Sequence, residues 1–340
     1  MDYTGLDYRG RLDFKDAYKI NRPIKDEEKH SALPKNKASG LLPLSWFSIL
    51  KVNNTYLEVV DRWYLPKGIG NGFGIIIFAS IFGMFVASIF AGFSLKDIYA
   101  WFLIIPFALF LLGASYFVAL MLGREMFRLT HYPIRFNRKN RKVYVMRPGV
   151  PTLTVNWDDL LCHTVDSTMG AEIRALVLSE DKETVLDTFT LLYATYGNIN
   201  GVTQMWEYVR RYMEEPDGVK QAYEGAGFCP PVSERKETFL EGLFFSSALI
   251  PTFPIGLLLV GWFTSLQAVG RWIAMKTCKL PVWPEDIEAE CCVEPEDPLV
   301  KDWRNALQPT FKEWILYIVP NLISSAAMIA LVAWLLQELW

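Results

Sequence analysis

Between His131 and Gly149 the chain reads HYPIRFNRKNRKVYVMRPG, six Lys or Arg with no Asp or Glu. Clustered guanidinium and ammonium groups can grip phosphate, on nucleic acid or on a lipid headgroup, through charge-assisted hydrogen bonds. Arg135, Arg138, Lys139, Arg141 and Lys142 are the candidate contacts for a headgroup or a partner. The competing account is positional, because Lys and Arg flanking an apolar segment collect on the cytoplasmic side of a membrane. The run follows ALMLGREMFRLT, where Arg124 and Arg128 carry its charge back to the end of an apolar block. Its centre, NRKNRK, has the composition of a hairpin tip, where charge is solvated. Residues 123–238 hold 15 basic against 16 acidic side chains, so no dominating positive field surrounds it. The ribbon therefore reads first as an orientation mark and an opening hairpin.

Other residues capable of chemistry are few. Cys162-His163 is the lone Cys-His neighbour pair, and the simplest expectation is a buried thiol beside a solvated imidazole. Five cysteines, two of them adjacent, include no C-x-x-C, and there are three histidines. Neither a structural zinc site nor a disulfide framework is expected from that supply. Asp158-Asp159 and Glu214-Glu215 read as solvated charges at a strand end and a helix end. GIGNGFG, residues 68–74, is not G-x-G-x-x-G and precedes an apolar span instead of following a strand. It reads as an exit hinge. With no G-x-S-x-G, P-loop or H-E-x-x-H, no enzyme and no cofactor are expected.

The elements that would position these residues are dominated by membrane segments. Asn71 to Phe93 carries no charge, and neither does Ile98 to Leu122 after the connection SLKD. At about 1.5 Å per residue each is long enough to cross a ~30 Å hydrocarbon core, and so short a linker demands an antiparallel hairpin. Ala79, Gly83, Ala87 and Ala91 recur every four residues, the pattern of a close helix-packing face. Ile315 to Leu336 is a further span, with Pro320 and Asn321 inside it. Phe239 to Val269 has Pro251 and Pro254 at its middle and admits two readings, one kinked span or a re-entrant hairpin. Basic residues stand at three flanks: Arg235 and Lys236; Arg271, Lys276 and Lys279; Lys301, Arg304 and Lys312. That distribution leans to the hairpin. The spans hold almost no ionisable groups at depth, which disfavours a pump or carrier.

Between the spans, residues 123–238 show strand-like stretches at Pro133–Phe136, Val143–Met146, Thr152–Trp157, Ala171–Leu178 and Thr184–Phe189. Val202, Met205, Trp206, Val209 and Tyr212 then mark one face of an amphipathic helix capped by Asn200. About six strands followed by one helix is the order of a pleckstrin-homology-like barrel, with a small α+β sheet of other topology as the alternative. The expected fold is thus a membrane α-helical protein with an inserted cytoplasmic α+β domain. Its expected layout is an N-terminal segment 1–66, a transmembrane hairpin 67–122, the soluble domain 123–238, a broken block 239–270, a loop or amphipathic segment 271–313 and a final span 314–337.

Composition agrees. The chain is 51% hydrophobic and 14% aromatic with net charge −3, which argues against nucleic acid as a partner and for the bilayer. The first 30 residues mix both charge signs with aromatics and lack the form of a cleaved signal peptide. The stretches HYPIRFNRKNRKVYVMRPG, LTVNWDDLL, EIRALVLSEDKETVLDTFTL, WEYVRRYMEE and RWIAMKTCKLPVWPEDIEAEC carry a resemblance. The chain resembles an uncharacterised family of bacterial inner-membrane proteins often encoded beside type VI secretion components. That resemblance implies a location and a context and transfers no catalytic residue. It implies a non-enzymatic immunity protein against a cognate toxin, or a scaffold docking an effector or secretion component. A lipid sensor using the basic ribbon is the third expectation. Sequence alone leaves the oligomeric state open.

Overall fold

Apolar and polar side chains alternate along Tyr56–Val59, Ile134–Asn137 and Lys142–Val145, and this period-two pattern makes a sheet with one apolar and one polar or aromatic face. Leu57, Val59, Ile134, Phe136, Val143 and Val145 point inward and are fully buried. Tyr56, Glu58, Arg135, Asn137, Lys142 and Tyr144 share the opposite face.

The computed structural model describes residues 20–95, 98–123, 125–147, 149–167, 170–191, 199–248, 250 and 253–338. In chain order they form β1 (Arg22–Pro23), α1 (Asp26–His30), β2 (Ile49–Val52), β3 (Tyr56–Val59), α2 (Ile69–Leu95) and α3 (Trp101–Leu122). There follow β4 (Ile134–Asn137), β5 (Lys142–Val145), β6 (Leu153–Asn156), β7 (Leu160–Ser167), β8 (Gly170–Leu178) and β9 (Thr184–Thr190). The rest is helical: α4 (Ile199–Glu214), α5 (Gly218–Gly225), α6 (Phe239–Ser247), α7 (Ile255–Thr277), α8 (Glu285–Glu290) and α9 (Phe311–Glu338). Arg124 and Pro251 lie outside the described residues.

These elements separate into two compact units. The first takes the chain up to Leu65, then Leu129–Lys236 and Leu280–Gln308. It contains two antiparallel sheets in an α+β arrangement, ordered β2-β3-β4-β5-β6 and β1-β9-β8-β7. The apolar stripe of α4 is buried, with Trp206 stacked on Trp157 at 5.6 Å and Phe136 edge-on to Trp157 at 5.9 Å. α4 begins at Ile199, so Asn200 sits within its first turn and is not its cap.

The expected soluble domain 123–238 is therefore incomplete. β3 pairs with β4 in the register Tyr56↔Asn137 to Val59↔Ile134, so two strands of the five-stranded sheet precede the apolar hairpin α2–α3. The third piece, 280–308, closes over the outer face of that sheet. Trp283, Ile287 and Cys291 bury against Tyr56, Tyr132, Tyr144 and Met146, and Val52 bridges Lys301. The segment read as a loop is part of the domain's core.

The second unit comprises Pro66–Arg128, Glu237–Lys279 and Pro309–Trp340. Four of its helices are long and apolar enough to cross a membrane: 69–95, 98–120, 255–277 and 311–335. The broken block differs from expectation in extent, since α7 continues past Val269 to Thr277. The expected packing face of α2 is also displaced. Ala79, Gly83, Ala87 and Ala91 are exposed, and a Cβ at Gly83 would meet nothing within 4 Å. The close contact lies at the start of α2, in the glycine-rich stretch read as a hinge. A Cβ on Gly270 of α7 would overlap Gly68 O and Gly72 N, so the two backbones touch at that crossing. Small residues serve helix contact here, as the stripe suggested, but at 68–72 and 270 instead of 79–91.

Two outcomes follow from this assembly. A fragment of residues 123–238 exposes the unpaired edge of β4 and the bare face meant for Trp283. It is expected to show no cooperative thermal transition by circular dichroism, and a sharp melt would refute the three-piece domain. In the full protein in detergent, Gly270→Leu is expected to destabilise by about 2 kcal/mol or more through overpacking. Gly83→Leu, pointing into open space, leaves the melting temperature essentially unchanged.

Candidate functional site

The basic ribbon belongs to β4, β5 and the turn between them, and the fold uses its charges internally. Arg135 stands directly opposite Glu58 across the β3–β4 ladder and pairs with it. Its guanidinium also reaches Glu288 of α8 at 3.0 Å and lies over the rings of Tyr56 and Trp283 at 4.5 and 4.6 Å. Trp283 Nε1 donates to Glu58 at 3.2 Å, which completes the buried set. Five groups drawn from three separated stretches thus meet on one sheet face.

Arg138 has another task. Its guanidinium donates to the carbonyls of Tyr212, in the last turn of α4, and Glu215, just past its end. A helix C-terminus leaves such carbonyls without intrahelical donors and carries partial negative charge, so a cation there satisfies both needs. Arg141 pairs with Asp158 at 2.5 Å and Glu214 at 2.9 Å. That guanidinium, together with Lys35, holds the Asp158 carboxyl below its ordinary pKa against the small opposing effect of burial. Lys139 contacts Glu294 at 2.9 Å. Lys142 and the Tyr144 hydroxyl share Glu290, at 2.7 and 2.6 Å.

The acids read as solvated ends are therefore counter-ions. Asp158 and Glu214 hold Arg141, Trp157 Nε1 donates to Glu214 at 2.5 Å, and Glu215 accepts from Arg210 at 2.9 Å. All five candidate contacts are gathered between the end of α4 and the acidic segment 285–297. At the tip, Lys139, Asn140, Arg141, Asn156, Asp158 and Asp159 line a shallow open cavity of about 370 Å³. Its lining mixes both charge signs, which suits a polar protein surface better than a row of phosphates.

The Cys162-His163 pair is buried on both sides. Cys162 is enclosed, and burial pushes its thiol up to about 12, so it is no nucleophile at neutral pH. His163 is not solvated, contrary to expectation, being only 3% exposed. Residues 20–35 cover it: Ala32 bridges His163, and Leu33 N–H donates to the Cys162 carbonyl at 2.7 Å. Ser31 Oγ lies 3.3 Å from Nδ1, and Glu28, gripped by Arg22 through two hydrogen bonds, lies 4.0 Å from Nε2. Beside it Arg174, opposite His163 in the ladder, shares Glu172 with Arg62. Burial first, and the Arg174 charge second, lower the imidazole to about 4 against the pull of Glu28.

The helical unit holds polar groups that the span readings did not anticipate. Glu237 and Arg271 are almost completely buried and joined bidentately, Nε to Oε2 at 2.6 Å and Nη2 to Oε1 at 2.8 Å. Glu125 accepts from the N–H groups of Gly68 and Asn71, at 3.3 and 3.2 Å. Asn321 of α9 accepts from Thr264 and Ser265 and donates to Ser247, which ties α6, α7 and α9 together. Asn321 was visible in sequence as a polar residue in an apolar run; its partners were not. Among the described residues, no three His, Cys, Asp or Glu side chains gather to hold a metal ion.

A family model described as a family of unknown function (DUF6708) matches residues 111–295, more than half of the chain. No curated protein and no solved structure matches the chain.

The buried imidazole sets a pH dependence. An unfolded His titrates near 6.5, whereas His163 in the fold stays neutral down to about 4. Its contribution is complete above pH 6.5 and is lost as pH falls from 6.5 through 4, where the unfolded chain binds the extra proton. The full window is worth on the order of 3 kcal/mol. Urea midpoints measured at pH 7.5 and 5.0 are expected to drop more for the wild type than for His163→Gln. Equal drops would remove His163 as the origin.

Proposed function

The chain belongs to this family of unknown function, and we propose that it is a non-enzymatic inner-membrane protein of a bacterial type VI secretion locus, acting as an immunity protein against a cognate toxin. In this reading the α+β unit is cytoplasmic and meets its partner through a surface of mixed charge. The observation that carries it is the way the unit is tethered. The chain passes between the two units five times, at 65/66, 128/129, 236/237, 279/280 and 308/309. A domain so tied to apolar helices stays where they are, and the basic groups of the ribbon are engaged in holding it together. What remains available is a fixed protein surface at a bilayer, the form expected of a shield or a dock. The order of strands followed by a helix is compatible with a pleckstrin-homology-like lineage, though such a likeness would not by itself supply a lipid ligand.

Internal pairing of the ribbon also weighs against the lipid-sensing reading. Arg135, Arg138, Arg141 and Lys142 would have to exchange existing partners for headgroup phosphates. A scaffold role, docking an effector or secretion component, uses the same surface and differs in the partner.

Expression of the full chain in a sensitive strain, beside the neighbouring toxin, is expected to restore survival. Unchanged killing would sink the immunity role. Recovery of a secretion-apparatus component instead of a toxin, on purification of the full chain from its native membrane, would favour the scaffold.

A further inference from the structure

We infer that the segment from Glu237 to Lys279 is a re-entrant hairpin: it enters and leaves the bilayer on one side, so the chain crosses three times and α9 ends opposite the α+β unit. The first support is connectivity. Residues 129–236 and 280–308, which flank the segment, belong to one compact unit. They are woven into it: Val52 bridges Lys301, Asn54 holds Asp297 through two hydrogen bonds, and Trp283 donates to Glu58. A unit knitted in this way lies on a single side of a membrane. The intervening segment therefore crosses an even number of times.

Length decides between two crossings and none. α6 has nine residues, about 14 Å of helix. α7 has 23 residues, but Gln267, Arg271 and Lys276 occupy its C-terminal part. α7 as a whole is long enough to cross, and its uncharged stretch, Ile255–Gly270, rises about 24 Å. The α6 arm decides: it stops near the middle of a hydrocarbon core of about 30 Å, so α7 starts inside and returns to the side from which the segment came. By the same measure the uncharged run Ile315–Leu335 of α9 rises about 31 Å and does cross.

The third support is the chemistry at the two ends of the hairpin. At its base the buried Glu237–Arg271 pair joins the residue before the Thr238 cap of α6 to the last turns of α7. At its tip, Ser247 closes α6 and receives a hydrogen bond from Asn321 Nδ2 at 3.2 Å. Asn321 Oδ1 accepts from Thr264 at 2.6 Å and from Ser265 at 3.2 Å. Asn321 lies six residues beyond Ile315, about 9 Å into the apolar run of α9. Gly261 makes room for it, since a Cβ there would stand 2.8 Å from Asn321 Cα. Backbone that leaves helical form at this depth is tolerated where protein encloses it, and this polar seam on α9 provides partners for the broken end.

Cysteine labelling of the full chain, with an impermeant maleimide applied to right-side-out and to inverted membranes, tests the inference. Among the native cysteines Cys278 and Cys291 are buried, so exposed Cys292 is the reporter for the third segment. Single reporters Lys182→Cys, Ile255→Cys and Glu338→Cys mark the α+β unit, the hairpin tip and the end of α9. Expected is labelling of Cys292 and K182C from one side and of E338C from the other. I255C is expected to react from neither side while reacting in detergent, which shows that its thiol is free. Reaction of I255C from the side that labels E338C would mean two crossings and overturn the hairpin. So would labelling of E338C and Cys292 from the same side. Neither result bears on toxin protection, so the topology and the immunity role fail independently.

Discussion

The pairing of β3 with β4 is the constraint on which the rest of this chain depends. Four register pairs join Tyr56–Val59 to Ile134–Asn137, and an apolar helical hairpin is strung between them. Closing so long a loop costs conformational entropy, though that cost grows only slowly with loop length. An antiparallel helical pair lowers it by returning the chain near its starting point. The apolar helical hairpin is thus an elaborated loop of a β-meander. Once β3 and β4 are paired, Glu58 faces Arg135, Trp283 has a surface to cover, and the third segment acquires a place.

How much of this was legible depends on the range of each interaction. α2, α3 and α9 were readable because span length and absence of charge are local properties. The strands β4, β5, β6, β8 and β9 and the apolar face of α4 followed from local periodicity in the same way, while β7, Leu160–Ser167, was missed. β2 and β3 were not readable: ILKV and YLEV are four residues each, and the strand that joins this pair to the rest of the sheet, β4, lies beyond the apolar helical hairpin. His163 was misjudged for a similar reason. Alternation shows that it opposes the face of Cys162, but only the distant 20–35 segment decides whether that face meets water. In each case the deciding contact is far away in sequence.

The glycines show a subtler limit. Four-residue spacing of small side chains marks a surface that permits close approach, without saying whether a neighbour arrives. Ala79, Gly83, Ala87 and Ala91 have the spacing and stay exposed, whereas Gly68 and Gly72 meet Gly270 of α7. The deciding factor is where α7 crosses, and that is fixed by the polar groups near the same point. Asn71, Glu125, Gln267 and Arg271 are all buried there, and a buried polar group without partners costs far more than an exposed one. Satisfying them requires α2, the end of α3 and α7 to converge, and only glycine lets the backbones come close enough.

The ribbon follows from the same logic. An exposed ion pair stabilises little, but several charges held between two structural ends form a clamp. Arg138 and Arg141 hold the end of α4, while Lys139 and Lys142 hold Glu294 and Glu290 of the third segment. The stretch 285–297 is acidic because the face it covers is basic, and the two were easy to misread separately as a binding patch and a solvated loop. A ligand recruited to this surface would have to compete with carboxylates already in place at hydrogen-bonding distance. Anionic phosphates are poorly suited to that competition, being repelled by those acids. A surface offering both charge signs can pair with the basic and acidic members alike, as the lining of the cavity at the hairpin tip requires.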